Sequence, residues 1–256
     1  GLKSQFGTMC KPFHAGKAAQ SGLLAARLAA RGFSSRPDLV ECEQGFAATH
    51  APDFHPEKAH AEPKRGFHIF NNLFKYHAAC YMTHAPIECG RQLRDQGVAP
   101  ADIAAIKLAA HSAIEKVCNI PAPTNGLEAK FSLRQTVAMA FAGVDTASLG
   151  AYSVAAATDP ALVGLRERVD LDFREDMPEA GAEITVELKD GRHASATFDA
   201  GIPMADIAAQ GKRLAAKFDA LAAPVVGAAR ARELRAAVAG LDNLADIGVV
   251  AKLAAK

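Results

Sequence analysis

Three side chains that can carry positive charge lie close together near the start of the chain, at Lys11, His14 and Lys17. The Ala- and Leu-rich stretch around and after them predicts a helix over about residues 15–31, ended by Gly32. Cations beside the free N–H groups and positive dipole end of a helix N-terminus favour a carboxylate or phosphate site. A solvated basic surface is the alternative interpretation. The buried side of this helix is expected to consist of Ala18, Leu23, Leu24, Ala25, Leu28 and Ala29.

A second group of chemically useful residues runs from Lys75 to His84. The pattern predicts a helix over residues 73–96, with Lys75 near its start. Cys80 and His84 would then be four residues apart on one helix face. A thiol or an imidazole beside an ammonium group is a plausible acid–base pair. Alternatively, Cys80 is a small buried side chain, as most free cysteines are.

A third, weaker group lies at residues 128–132, where a predicted helix over 128–143 begins. Lys130 and Ser132 could contact an anion at that helix N-terminus. His50, His55 and His60 are spaced five residues apart, which fits neither a helix face nor a strand face. The sequence therefore predicts no metal site.

The composition excludes several classes of protein. Lys and Arg number 29 against 28 acidic residues, a net charge of +1, without the basic surplus that is typical of nucleic-acid binding. No apolar stretch approaches the roughly 20 residues that span a bilayer. The cysteine count is 5, an odd number, and no pair has CxxC spacing. Reduced thiols and a cytoplasmic location are expected.

The elements that must position these groups are predicted in three parts: helices first, then a block that mixes strands and helices, then helices again. A strand is predicted near residues 101–108, a helix at 159–166 and a strand at 169–173. Alternating runs around Asp190-Gly191 predict a hairpin in which both turn residues have positive φ. The tail is predicted as helices over residues 205–221, broken at Pro224, then 228–239 and 241–254. The fold class is α+β, with helical segments flanking an insert near residues 71–203.

The motifs resemble a known family. Residues 11–22, from Lys11-Pro12-Phe13-His14 to Ser21-Gly22, are very similar to the KPxHxGxAAxxG motif of the MmgE/PrpD family. Lys75, Cys80 and His84 resemble its second motif, and Asn119-x-Pro121 with residues 128–132 resembles its third. The family includes 2-methylcitrate dehydratase, cis-aconitate decarboxylase and iminodisuccinate epimerase.

The resemblance implies a domain arrangement. Residues 1–70 would belong to an all-α domain, 71–203 would form an inserted α+β lid, and 204–256 would return to the helical domain. The active site would lie in the cleft between domains. The family's N-terminal helical half has no counterpart in this sequence. A homo-oligomer, or a partner that supplies that half, is therefore expected.

The resemblance also implies a function: a cofactor-independent lyase that dehydrates a 2-methylcitrate-like di- or tricarboxylate by proton transfer next to a carboxylate. Val117 and Cys80 stand where the decarboxylases have Tyr and His, which argues against decarboxylation. Epimerase or isomerase chemistry, and a non-catalytic fragment or subunit, stay open as alternatives. The expected catalytic residues are His14, Lys75, Cys80 and His84, and the expected substrate-binding residues are Lys11, Lys17, Lys130 and Ser132.

Overall fold

The computed structural model describes residues 2–51, 53–63 and 66–255. These residues form two compact units. The first unit is Met9–Asn72, and the second combines Leu2–Thr8 with the chain from Leu73 onward. The second unit contains the sheet and also the C-terminal helices. The expected return of residues 204–256 to a separate helical domain stays a prediction.

The chain is α+β, as the sequence predicts, with helices before and after a four-stranded sheet. The strands are β1 (Ile103–His111), β2 (Val169–Arg174), β3 (Gly181–Leu188) and β4 (His193–Asp199). The helices are α1 (Cys10–Ala29), α2 (Phe46–His50), α3 (Pro56–Ala59), α4 (His84–Asp95), α5 (Glu115–Cys118), α6 (Gly126–Ala129), α7 (Leu133–Phe141), α8 (Val154–Thr158), α9 (Pro160–Arg166), α10 (Ile207–Val226), α11 (Ala228–Ala239) and α12 (Gly248–Ala254). Short 3₁₀ turns lie at Lys3–Gln5, His68–Asn71, Tyr81–Thr83, Pro100–Asp102, Ser112–Ile114, Leu149–Ala151 and Leu241–Asn243.

The first helix begins five residues earlier than the sequence predicts, at Cys10. Pro12 does not delay it, because a proline in the first helical turn has no N–H that the helix needs. His14 therefore lies inside α1 rather than before it, Lys11 lies in its first turn, and Lys17 lies inside the helix as predicted. The expected buried stripe is wrong: no residue of α1, which is described in full, is buried.

The sheet has the strand order β2–β1–β3–β4. β1 and β2 are parallel, and the chain between them forms helices α5 to α9. β3 is antiparallel to both β1 and β4. Parallel neighbours need a long crossover, whereas antiparallel ones can be joined by a tight turn. Residues 112–168 are that crossover.

The β3–β4 hairpin is confirmed, but its turn differs from the one predicted. Only Gly191 has a positive φ, of 84°. The N–H of Gly191 donates to the carbonyl of Leu188 at 2.9 Å, and the N–H of Leu188 donates to the carbonyl of Arg192 at 2.8 Å. This is the three-residue loop in which only the glycine needs the left-handed conformation.

The core of the second unit lies between the sheet and helices α4 and α7. α4 packs against α7, β3 and β4. Alternate β3 side chains are buried, as period-two patterning requires. The ideal Cβ of Gly90 would lie 3.0 Å from the Cβ of Ala140, so this glycine permits the close approach of α4 and α7. The core includes Ile87, Cys89, Leu93, Ile106, Leu108, Leu133, Val137, Phe141, Ile184 and Val186.

The predicted helix over residues 73–96 is wrong in its first half. Residues 72–80 have no helical turn, and α4 begins only at His84. Pro86 is compatible with this start, because a proline in the first turn of a helix has no N–H that the helix needs, whereas in the middle of a helix over 73–96 it would remove a hydrogen bond. Cys80 and His84 therefore do not share a helix face. The predicted helix over 128–143 is likewise divided, since the hydroxyl of Ser132 caps a new helix, α7.

The tail departs from prediction at two points. α10 continues through Pro224 and ends at Val226, before Gly227 with a φ of 84°. The proline lies in the last helical turn, so only two residues of the helix follow it. The third predicted helix is reduced to a 3₁₀ turn and α12. In the part of the chain that the structure describes, no helix combines the length and apolar character needed to cross a bilayer.

Candidate active site

The candidate site is built on the irregular segment of residues 75–80, which hydrogen bonds from two directions hold in place. The N–H of Ala78 donates to the carbonyl of Thr146 at 2.8 Å, and the N–H of Cys80 donates to the carbonyl of Lys130 at 3.0 Å. The hydroxyl of Thr83 closes the turn into α4 by donating to the carbonyl of Cys80 at 2.8 Å. Both backbone N–H groups donate to carbonyls that lie outside the segment, so tertiary contacts fix the path of its backbone.

His77 is the buried polar centre of this segment, at 1% exposure. Its Nε2 lies 3.0 Å from Oε1 of Glu88, and its Nδ1 lies 2.7 Å from the hydroxyl of Thr146. An ionised carboxylate can only accept, so Nε2 carries the proton and Nδ1 accepts from Thr146. Burial lowers the pKa of His77, although Glu88 opposes the shift. His77 is therefore a neutral, oriented ring.

Glu88 is an ionised carboxylate with cations around it. The Arg213 guanidinium forms an ion pair with it, and Nη1 of Arg91 lies 3.9 Å from Oε1. Burial raises the pKa of Glu88, but the hydrogen bond with His77 and the charges of the two arginines lower it to about 2. The guanidinium carbon of Arg213 also lies 3.8 Å from the ring centroid of Tyr76. Glu88 and Arg213 thus join α4, the 75–80 segment and α10.

His84 is the chemically distinctive residue of the site. It is 2% exposed, and its ring contacts those of His77 and Tyr81 at centroid distances of 4.9 and 5.0 Å. One ring nitrogen bonds to the backbone of His77, and Nε2 has no hydrogen-bond partner among the described residues. Burial, then His77, Lys75 and Lys217, lower the pKa of His84 to about 3.

This arrangement fixes the tautomer of His84. The bonded nitrogen, Nδ1, faces a backbone carbonyl and must be the donor. The neutral ring then carries its lone pair on Nε2. A buried acceptor without a donor costs about 1–3 kcal/mol. Such an atom is suited to accept a proton or a hydrogen bond from a ligand.

Cys80 is buried at 8% exposure, and its thiol is hydrogen-bonded to that of Cys118. That hydrogen bond and burial raise the pKa of Cys118. Cys118 is fully buried beneath the segment. The structure therefore places Cys80 in a thiol pair facing the core, and its acid–base role stays a prediction.

The expected substrate-binding residues of this unit have different environments. Lys75 is exposed, and its ammonium group donates to the carbonyl of Ala79 at 3.4 Å. Lys130 follows α6 rather than beginning a helix, and its ammonium group lies 5.5 Å from the ring centroid of Tyr152. Burial lowers the pKa of Lys130. Ser132 is fully buried, and its hydroxyl accepts from the N–H of Gln135 at 3.2 Å.

The remaining expected site residues lie in the first unit. Lys11 and His14 are half-buried on α1, three residues apart, and the ammonium group of Lys17 bonds to the side chain of Gln20 at 3.1 Å. Within residues 2–51, 53–63 and 66–255, no cluster of three or more His, Cys, Asp or Glu could hold a metal. His50 is the last residue of α2, and Nδ1 of His55 lies 3.0 Å from Oε1 of Glu57.

Sequence reasoning missed four functional candidates: His77, Glu88, Arg213 and Lys217. His77 lies inside the second motif, between Lys75 and Cys80, and that position was a local signal. Arg213 and Lys217 act 125 and 142 residues away from their partners. Their spacing of four on a predicted amphipathic helix shows a shared face, but not what that face meets.

The family model of the MmgE/PrpD C-terminal domain matches residues 77–243. The chain belongs to the MmgE/PrpD family. The matched part of this MmgE/PrpD chain includes the sheet and the network of His77, His84, Glu88 and Arg213. Lys75 and the α1 motif precede it. MmgE/PrpD proteins are generally lyases. None of the curated proteins matches the chain.

Proposed function

We propose that this chain is a cofactor-independent lyase that removes water from a small hydroxylated di- or tricarboxylate resembling 2-methylcitrate. The observation that carries the proposal is the lone pair on Nε2 of His84, buried and unpartnered beside a neutral histidine and the charge of Lys75. Family membership supports the reaction class. Lys75, with Lys130, would bind carboxylates, and His84 would move the proton.

In the resting site, burial first and then the neighbouring positive charges lower the pKa of His84, so the ring holds no proton. A bound substrate would oppose this. A carboxylate about 4 Å from the ring, at an effective dielectric constant of about 20, contributes about 4 kcal/mol. That energy would raise the pKa of His84 from about 3 back toward its ordinary value of 6.5. The imidazole thus becomes a competent base only when a multiply charged acid occupies the site.

The reaction would proceed by proton transfer through one ring. Nε2 of His84 takes the proton from the carbon next to a carboxylate, and the electron pair moves into that carboxylate as an enediolate. Ammonium groups stabilise the developing charge. The pair then forms the carbon–carbon double bond and expels the neighbouring hydroxyl. The imidazolium returns its proton to that hydroxyl, so water leaves and His84 is neutral again.

The test compares His84→Gln and Lys75→Met with wild type, with 2-methylcitrate as the substrate and alkene formation followed by proton NMR. Loss of a general base predicts a fall in kcat of about 10²–10⁴-fold for His84→Gln. Lys75→Met should raise KM more than it lowers kcat. His193→Gln, at an exposed position on β4, is the control. Near-normal turnover by both variants would overturn the proposal.

A second candidate is a subunit that acts only together with a partner chain. On α1, Leu23 is 63% exposed and Leu24 is 58% exposed, and apolar side chains grouped on one helix are typical of an interaction surface. Solution mass and turnover measured on the same sample separate the two candidates. Turnover by a 26.8 kDa monomer would exclude the second, and turnover only after a partner chain is added would support it.

A further inference from the structure

Two cations on α10 contact the 75–80 segment, but only one has its charge balanced. Arg213 pairs with Glu88 and stacks on Tyr76. Lys217, one helical turn later, donates instead to the backbone carbonyl of Lys75. Among the described residues, no carboxylate lies within ion-pair distance of Lys217. A carbonyl oxygen satisfies one of its three N–H donors and leaves its charge uncompensated.

Lys217 also lies close enough to the candidate base to act on it. Burial and the charge of Lys75 lower the pKa of Lys217. Lys217 and Lys75 both lower the pKa of His84. Lys217 contacts the backbone carbonyl of Lys75, and the ammonium group of Lys75 reaches the carbonyl of Ala79 at 3.4 Å. Both ammonium groups therefore lie at the 75–80 segment, which leads into His84 at the start of α4. Like charges held together are unfavourable unless an anion lies between them.

We propose that Lys217 forms one carboxylate subsite together with Lys75, adjacent to Nε2 of His84, and binds a carboxylate of a small di- or tricarboxylic acid. This inference rests on the proposed function, because it assigns a further residue to the same site. A carboxylate at this position balances the charge of Lys217 and accepts the N–H donors that the Lys75 carbonyl leaves over. It also supplies the negative charge that makes His84 basic.

The test measures binding of citrate by isothermal titration calorimetry, at low and constant ionic strength, to the full chain. Lys217→Gln keeps an N–H donor for the Lys75 carbonyl and removes the charge. Losing one charge-assisted contact predicts roughly ten- to hundredfold weaker binding. Lys217→Arg keeps the charge and should bind within about threefold of wild type. Lys212→Gln, at an exposed position on the same helix, is the matched control and should not differ.

Two further readouts separate a binding role from a structural one. Thermal denaturation without citrate should be the same for Lys217→Gln and Lys212→Gln. In turnover assays, Lys217→Gln should raise KM with little change in kcat. This result is expected when the lost contact is equally strong in the ground state and in the transition state. A merely structural lysine would instead lower stability and leave citrate affinity unchanged in the folded protein.

Each outcome decides a different part of the argument. Unchanged citrate affinity in Lys217→Gln, with weaker binding in Lys75→Met, would overturn the role of Lys217 and leave the proposed function standing. Weaker binding in both variants, with no turnover by wild type, would support the subsite and overturn the lyase. Absence of citrate binding by wild type would overturn both.

Discussion

Acid should destabilise the second unit through His84, by an amount that follows from its burial. The folded chain holds the pKa of this ring at about 3, against an ordinary value of 6.5. Between these two values, the unfolded chain binds a proton at His84 and the folded chain does not. The free energy of unfolding therefore falls as pH falls through this window, and below about pH 3 the loss is complete.

The magnitude can be worked out for a convenient pH. At pH 4.5, two pH units below the unfolded pKa, protonation of the unfolded ring lowers the free energy of unfolding by about 3 kcal/mol relative to neutral pH. His77, Tyr81, Lys75 and Lys217 face this ring. Burial also lowers the pKa of His77, so His77 adds its own loss of stability as the pH falls. The prediction is therefore a difference between wild type and His84→Gln.

Urea denaturation followed by tyrosine fluorescence measures this difference in the correct unit. The chain has no Trp and 3 Tyr, and Tyr76, Tyr81 and Tyr152 all lie in the second unit. Between pH 7.5 and pH 4.5, the free energy of unfolding should fall by about 3 kcal/mol less in His84→Gln than in wild type. His193→Gln is the control for removal of an exposed histidine. If His84→Gln and wild type lose the same amount, the inference of a neutral, buried His84 is wrong.

Three substitutions test the packing and the charge network around the site. Glu88→Gln leaves Arg213 without its carboxylate and should cost about 3–5 kcal/mol at pH 7.5, measured by urea denaturation; an unchanged midpoint would contradict the ion pair. Ile184→Ala empties a fully buried position on β3 and should cost about 2–5 kcal/mol in the same assay. Arg213→Lys keeps the charge but loses the planar stacking on Tyr76, so it should cost about 1 kcal/mol and leave citrate affinity unchanged. Equal loss of citrate affinity in Arg213→Lys and Lys217→Gln would argue against separate roles on α10.

The parts of the fold that the sequence predicts correctly are those that local patterning determines. The β3–β4 hairpin is set by alternation and by Asp190-Gly191. The helix at Pro160–Arg166 begins with a side-chain cap from Asp159, whose Oδ1 accepts two backbone N–H groups. Cys89 and Leu93 of α4 are four residues apart, which is the spacing of one helix face, and both are buried. Each of these features depends on residues close together in sequence.

The errors occur where contacts distant in sequence override local preference. Residues 75–80 have a helical pattern, but their N–H groups bond to the carbonyls of Thr146 and Lys130 instead. The apolar residues of α1 recur at the spacing of a buried helix face, but such a spacing does not indicate which surface covers that face. The candidate site shows the same limit. Lys75 and His84 could be chosen by residue type, whereas Lys217 required knowledge of where α10 packs.

One helical turn of α10 separates a structural cation from a proposed functional one. Arg213 and Lys217 are four residues apart, so their side chains leave one face about 6 Å from each other. Over that distance the contact changes: Arg213 pairs with the carboxylate of Glu88, and Lys217 donates to the backbone carbonyl of Lys75. The first position anchors the helix through a balanced charge. The second has no carboxylate partner among the described residues, and the proposed ligand would balance its charge and make His84 basic.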